Sequence, residues 1–198
     1  MRMATADAAP VPADRAAACP PLDRRTLAEL AARSDAAGWR QLTGHLLLLG
    51  GTGAGVWAAH GTFWLLPAML AHGIVLVFLF APLHETIHRT AFASRRTNEA
   101  TAFVLGALLL LPHEYFRAFH FAHHRFTQDP ARDPELASPR PATFGQWAWH
   151  VTGLPYWIGQ ARLVVRQASG RTPESFYKDD RQRAAVVREA RILLAIYG

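Results

Sequence analysis

From Gln41 to His84 the chain carries no Asp, Glu, Lys or Arg. No other feature restricts its fold so much. About 20 helical residues, at about 1.5 Å each, cross a hydrocarbon core roughly 30 Å thick. The run has 44 residues, room for two crossings and a turn. Leu42 to Ala59 forms the first expected segment and Phe63 to Leu83 the second, with the turn at Ala58–Thr62. Charged residues make up 18% of the chain, against roughly a quarter in an average globular protein. The reading is an all-α integral membrane protein built on a transmembrane helical hairpin.

The flanks fit that plan. Residues 1–21 are rich in Ala and Pro and read as a disordered tail, with no apolar core of a signal peptide. Cys19 is the only cysteine, which excludes an internal disulfide and a C-x-x-C zinc site. Leu22 to Gln41 reads as one polar helix leading into the membrane. Two crossings return the chain to its starting side, where Arg24, Arg25, Arg33, Arg40, Arg89, Arg95 and Arg96 gather. By the positive-inside rule that side is cytoplasmic. Topology therefore accounts for the net charge of +6, and no basic stripe with interleaved aromatics points to nucleic acid.

Ala100 to Pro112 is apolar but short, in the range of re-entrant or interfacial segments. Its path decides whether the residues before and after it can meet. Thr143 to Gln167 reads as an interfacial helix pair broken at Gly153–Pro155, with Trp147, Trp149, Tyr156 and Trp157 as headgroup-level anchors. The stretch from Asp179 reads as a helix that turns apolar at Ile192. His45, His60 and His72 lie in or between the spans, where a polar side chain faces another helix.

Six of the ten histidines fall between His84 and His124, and five of those six form two groups. His84 and His88 share a helix face, four residues apart. His120, His123 and His124 form H-x-x-H-H, whose three imidazoles can converge from one helix. HETIH also fits H-E-x-x-H, in which Glu85 would be the general base of a zinc protease. Imidazole suits zinc, copper, iron and nickel alike, so ligand type does not choose the metal. Ligand count says more. A catalytic zinc takes three protein ligands, and five clustered histidines suit more than one metal ion.

HETIHRTAF, a short apolar segment, and FRAFHFAHHRFTQDPARDPEL together resemble the first two histidine boxes of the integral-membrane fatty acid desaturases. The order of the boxes, the gap of about 30 residues between them and the preceding hairpin all match. LAARSDAAGWRQL is similar to the polar lead-in of bacterial members, and the resemblance covers residues 22–198. It implies two iron ions bound by His84, His88, His120, His123 and His124, with O2 as co-substrate. Glu85, Glu114, Asp129 and Asp133 are candidates to accept the second ring N–H of those ligands. Their alternative is ordinary: solvated carboxylates or helix caps. The implied reaction introduces a double bond into a fatty acyl chain. The implied partners are a membrane lipid or other acyl substrate and an external electron donor of the ferredoxin, rubredoxin or cytochrome b5 type. The implied location is a bacterial inner membrane, with the boxes on the cytoplasmic face. Arg89, Arg117 and Arg125 flank the boxes as cytoplasmic-side charges, or as charges that steer an acidic partner.

One departure matters. The family carries a third H-x-x-H-H box after a second pair of spans, and no such box follows His124. The expectation is a desaturase domain truncated before its third span, lacking its second hairpin and inactive alone. Three alternatives stand beside it. One is a related membrane hydroxylase, alkane monooxygenase or carotenoid ketolase using similar boxes. Another is the zinc protease of His84, Glu85 and His88. The third is a membrane hairpin with vestigial boxes and no catalysis.

Overall fold

The computed structural model describes residues 22–198, and the expected disordered tail, residues 1–21, lies outside them. All regular structure among the described residues is helical. Leu22–Arg33 belong to one compact unit and Ser34–Gly198 form another. The first unit holds α1 (Arg24–Leu30), whose start is capped by Asp23 accepting from the Arg25 and Thr26 amides. The single lead-in helix expected from sequence is in fact divided. Ser34 takes an extended backbone and its hydroxyl accepts from Ala37 N, so a new helix begins there.

In the second unit, α2 (Asp35–Ala58) and α3 (Leu65–Val77) form an antiparallel hairpin. The pairing is fixed by two polar side chains inside the apolar run. His45 Nε2 meets the Val75 carbonyl at 2.9 Å, and His72 Nδ1 meets Thr52 Oγ1 at 3.0 Å. These histidines face the partner helix, as expected. The turn falls at Ala59–Trp64, where Gly61 takes φ 77°.

After α3 the chain makes a slight break at Phe78–Leu79 and continues as α4 (Phe80–His88). Pro82 explains the break: it has no N–H for the Phe78 carbonyl and its ring crowds that oxygen. The stretch Leu65–His88, 24 residues long, is the one helix among the described residues long and apolar enough to cross a membrane. Two such helices were expected. α2 has the length, but Gln41, Thr43, His45, Thr52 and six glycines dilute its apolar content.

α5 (Arg95–Leu108) and α6 (His113–Phe126) follow, bent by 99° at the break between them. Gly106 allows the bend. A Cβ there would come within 2.6 Å of the Leu111 carbonyl oxygen. Leu111 N donates back to Gly106 O at 2.8 Å, and Leu110 takes φ 54°. The short apolar segment thus turns sharply, and α6 comes back beside α4.

Leu79, Leu83 and Ile87 of the α4 region pack with Ala102, Leu105, Leu109, Leu111 and Phe116 in one buried cluster. Phe92 joins it from the α4–α5 loop. Asn98, itself buried, clips that loop by donating to the Phe92 and Ser94 carbonyls and accepting from Phe92 N. A short 3-10 turn at Pro134–Ala137 precedes α7 (Phe144–Val151) and α8 (Leu154–Ala168). These two break at Gly153, φ 74°, within the expected Gly153–Pro155 interval. α9 (Asp180–Tyr197) packs on α8 through Val164, Ala190 and Leu193. It reaches α6 through Val186, next to Tyr177 and Ala118.

Candidate metal centre

α4 and α6 lie side by side and present histidines to each other. On α4, Leu83 and Ile87 point into the core, which sets His84 and His88 on the adjoining face, one turn apart. On α6, His113, Phe116, Arg117 and His120 follow the i, i+3, i+4, i+7 pattern of a buried stripe. His124 extends that stripe by one turn. Ligand nitrogens of His84, His88, His120 and His124 all lie within 4.8 Å of one another. His88 Nε2 and His120 Nε2 are 3.0 Å apart.

The chemistry of this cluster fits a metal ion. His120 is buried and its Nδ1 has no hydrogen-bond partner, the expense of which a native structure avoids unless something else satisfies the atom. Burial and the rings of His84, His124, His88 and His123 push the His120 imidazole down to about 4. At neutral pH it is an uncharged ring with a lone pair to offer, the form a metal takes.

His123 stands apart from the four. Its Nδ1 lies 2.9 Å from the Asp133 carboxylate, which is buried. An ionised carboxylate only accepts, so Nδ1 donates and Nε2 keeps the lone pair. Asp133 also accepts from Gln128 N and Glu135 N. Burial pushes its carboxyl up, but the bonds from His123 and those two amides prevail and hold it below its ordinary value.

The other expected carboxylates are engaged elsewhere. Glu85 accepts from Thr90 Oγ1 at 2.6 Å. Asp129 accepts from the Ala131 amide and from Arg132 Nε, folding the loop after α6. Glu114 faces Arg117. Four rings converge where the zinc-protease chemistry uses two with a third ligand.

Three residues not picked out from sequence sit behind the cluster. His113 is buried, and its Nδ1 donates to Glu189 Oε1 at 2.6 Å. Glu189, from α9 and also buried, accepts in addition from His113 N and Glu114 N, the first amides of α6. Glu99 of α5 takes Arg89 Nε at 2.7 Å and Arg117 Nη2 at 2.8 Å. Glu99, His113 and Glu114 also place ligand atoms within 4.8 Å of one another. Arg117 already supplies positive charge to both carboxylates, so this group reads as an ion-pair network. The sequence reading gave Arg117 to topology or steering; its burial corrects that. Glu189 lies 75 residues from Glu114, so no local pattern could have joined them.

Beside His84 a cavity of about 800 Å³ opens, lined by Leu42, Phe78, Phe80, Pro82 and Phe92 among others.

An all-helical fold with four imidazoles converging between two helices defines a protein built around a polyhistidine site. The family model described as fatty acid desaturase matches residues 62–198, more than half of the chain, and the chain belongs to that family. No curated protein and no solved structure matches it. Membership carries the oxidoreductase class.

Proposed function

We propose that the chain carries the first two histidine boxes of a membrane di-iron oxygenase that desaturates a fatty acyl chain. The observation that carries this reading is the meeting of His84, His88, His120 and His124 within 4.8 Å in a chain of this family. These four residues would hold iron. His123, its tautomer set by Asp133, would be the fifth donor. An iron centre would supply the oxidising power for methylene C–H cleavage, which no acid or base side chain has.

The residues of the chain do the rest. Asp133 keeps the His123 lone pair on Nε2. The cavity beside His84, lined by Leu42, Phe78, Phe80 and Phe92 together with Gln41, Glu85 and Thr90, would receive an acyl chain. The exposed apolar surface of the α2–α3 hairpin, including Leu47, Trp57 and Leu66, faces lipid in an inner membrane, with the histidines at its cytoplasmic boundary. Electrons come from an external donor. Five imidazoles are few for two iron ions, so the 198-residue chain binds metal without turning over substrate.

The test supplies the purified chain with Fe2+, a reduced electron donor, O2 and an acyl lipid. Bound iron with unchanged acyl mass is the expected result. Loss of two hydrogens overturns the inactivity, and gain of one oxygen favours a hydroxylase. Substrate class is tested separately with a photoreactive acyl lipid. Crosslinks at the buried cavity residues Leu42 or Phe92 support it, and labelling confined to the outer hairpin surface contradicts it.

A further inference from the structure

We propose that Arg117 is a positioning residue of the histidine centre, fixing the distance between the two helices that carry the rings. The inference rests on reading the four histidines as metal ligands.

Arg117 is a buried cation, 8% exposed, and an unpaired charge there would be very costly. Each of its three guanidinium nitrogens has a partner. Nε donates to the Ile87 carbonyl at 3.2 Å, Nη2 to Glu99 at 2.8 Å, and Nη1 approaches Glu114 at 3.4 Å. Ile87 immediately precedes His88, in the last turn of α4. Carbonyls there lack helical partners and carry the negative end of the helix dipole, so a guanidinium is well suited to them. On its own helix Arg117 lies three residues before His120, on the same face. One planar group therefore ties the backbone beside His88 to the helix of His120.

The remaining contacts hold that group in place. Glu99 is itself held by Arg89, which follows His88 directly and ends α4 in a left-handed conformation. Glu99 thus receives one arginine from each ring-bearing segment. Glu189 caps the start of α6 and fixes Glu114 N, so the partner at the far side of the guanidinium is set as well. The chain Arg89–Glu99–Arg117–Ile87 closes a loop around the junction of α4 and α6. Only a rigid fork makes all of these bonds together. Lysine keeps the charge but offers a single flexible ammonium.

The test is Co2+ titration of the full chain in detergent, followed by ligand-field absorption, for the wild type, Arg117→Lys and Glu99→Gln. Helicity and thermal unfolding of the metal-free proteins are recorded alongside. The proposal expects Arg117→Lys to remain helical, to bind Co2+ at least about tenfold more weakly, within the roughly 10–100-fold range of outer-shell substitutions, and to show shifted bands at saturation. A merely structural role would lower the unfolding temperature and leave the saturated bands unmoved. Unchanged affinity, or a loss with unmoved bands, overturns the proposal. If Arg117→Lys does not fold, Glu99→Gln, which keeps the guanidinium and removes one partner, carries the same two outcomes. A wild type that shows no Co2+ bands refutes the metal-ligand reading itself, and the positioning role with it.

Discussion

His88 and His120, 32 residues apart in sequence, place their Nε2 atoms 3.0 Å from each other. The contact exists because α5 and α6 bend by 99° instead of running on as one span. A straight passage would have carried His120 away from α4 and His88. The bend is therefore the structural condition for the site, and it can be tested where it is tightest.

Gly106→Ala is expected to destabilise the fold by about 1–3 kcal/mol, the usual range for forcing extra volume into a packed region. The added methyl would press on the backbone at Leu111, which has no flexible side chain to yield. Thermal or denaturant unfolding of the purified variant checks this. An unchanged unfolding midpoint would mean that the bend does not depend on close approach at Gly106.

Glu189→Gln is expected to cost about 1.5–3 kcal/mol, the net range for hydrogen bonds to a charged group. The carboxylate accepts from His113 Nδ1, His113 N and Glu114 N. An amide of the same shape turns one of those acceptors into a donor facing a donor. Glu189→Gln and Arg117→Lys should fall short of additivity, since both act on Glu114, and a double-mutant cycle measures that coupling.

Asp133 gives the pH dependence its sign. Its carboxyl sits below the ordinary 3.8, so the folded state binds its proton less readily than the unfolded chain does. The stabilisation is present in full above pH 3.8 and is lost as the pH falls through the lower, folded value. Asp133→Asn should therefore be less stable than the wild type from about pH 5 to 7. The two unfolding curves should converge in acid below that window. A gap that persists unchanged at the lowest pH would show that the Asp133 charge is not what stabilises the loop.

Much of this architecture was legible in the sequence. The uncharged run gave the hairpin and its turn, because the absence of charge over so many residues has few other uses. Histidine spacing gave the two ring-bearing faces, because three and four residues return to one side of a helix. The divided lead-in was missed because Ser34 acts only through its local cap, which hydrophobic patterning does not register. The break at Phe78 was readable from Pro82 and was passed over. Arg117 was misread and His113 was passed over because burial is decided by what packs over a residue, and here that is α5 and α9, distant in sequence. The separation of His123 from the other rings depends on Asp133, whose reach is set by the fold of the TQDPARD loop.

The most direct measurement is anaerobic Fe2+ binding, with zinc as competitor, on the wild type, His88→Ala, His120→Ala and the double variant. The expected result is iron binding by the wild type that falls sharply in each single variant, with the double variant little worse than either. That pattern marks the two rings as parts of one site. Iron binding unaffected by both substitutions, or no metal bound by the wild type at all, would contradict a metal centre built from these histidines.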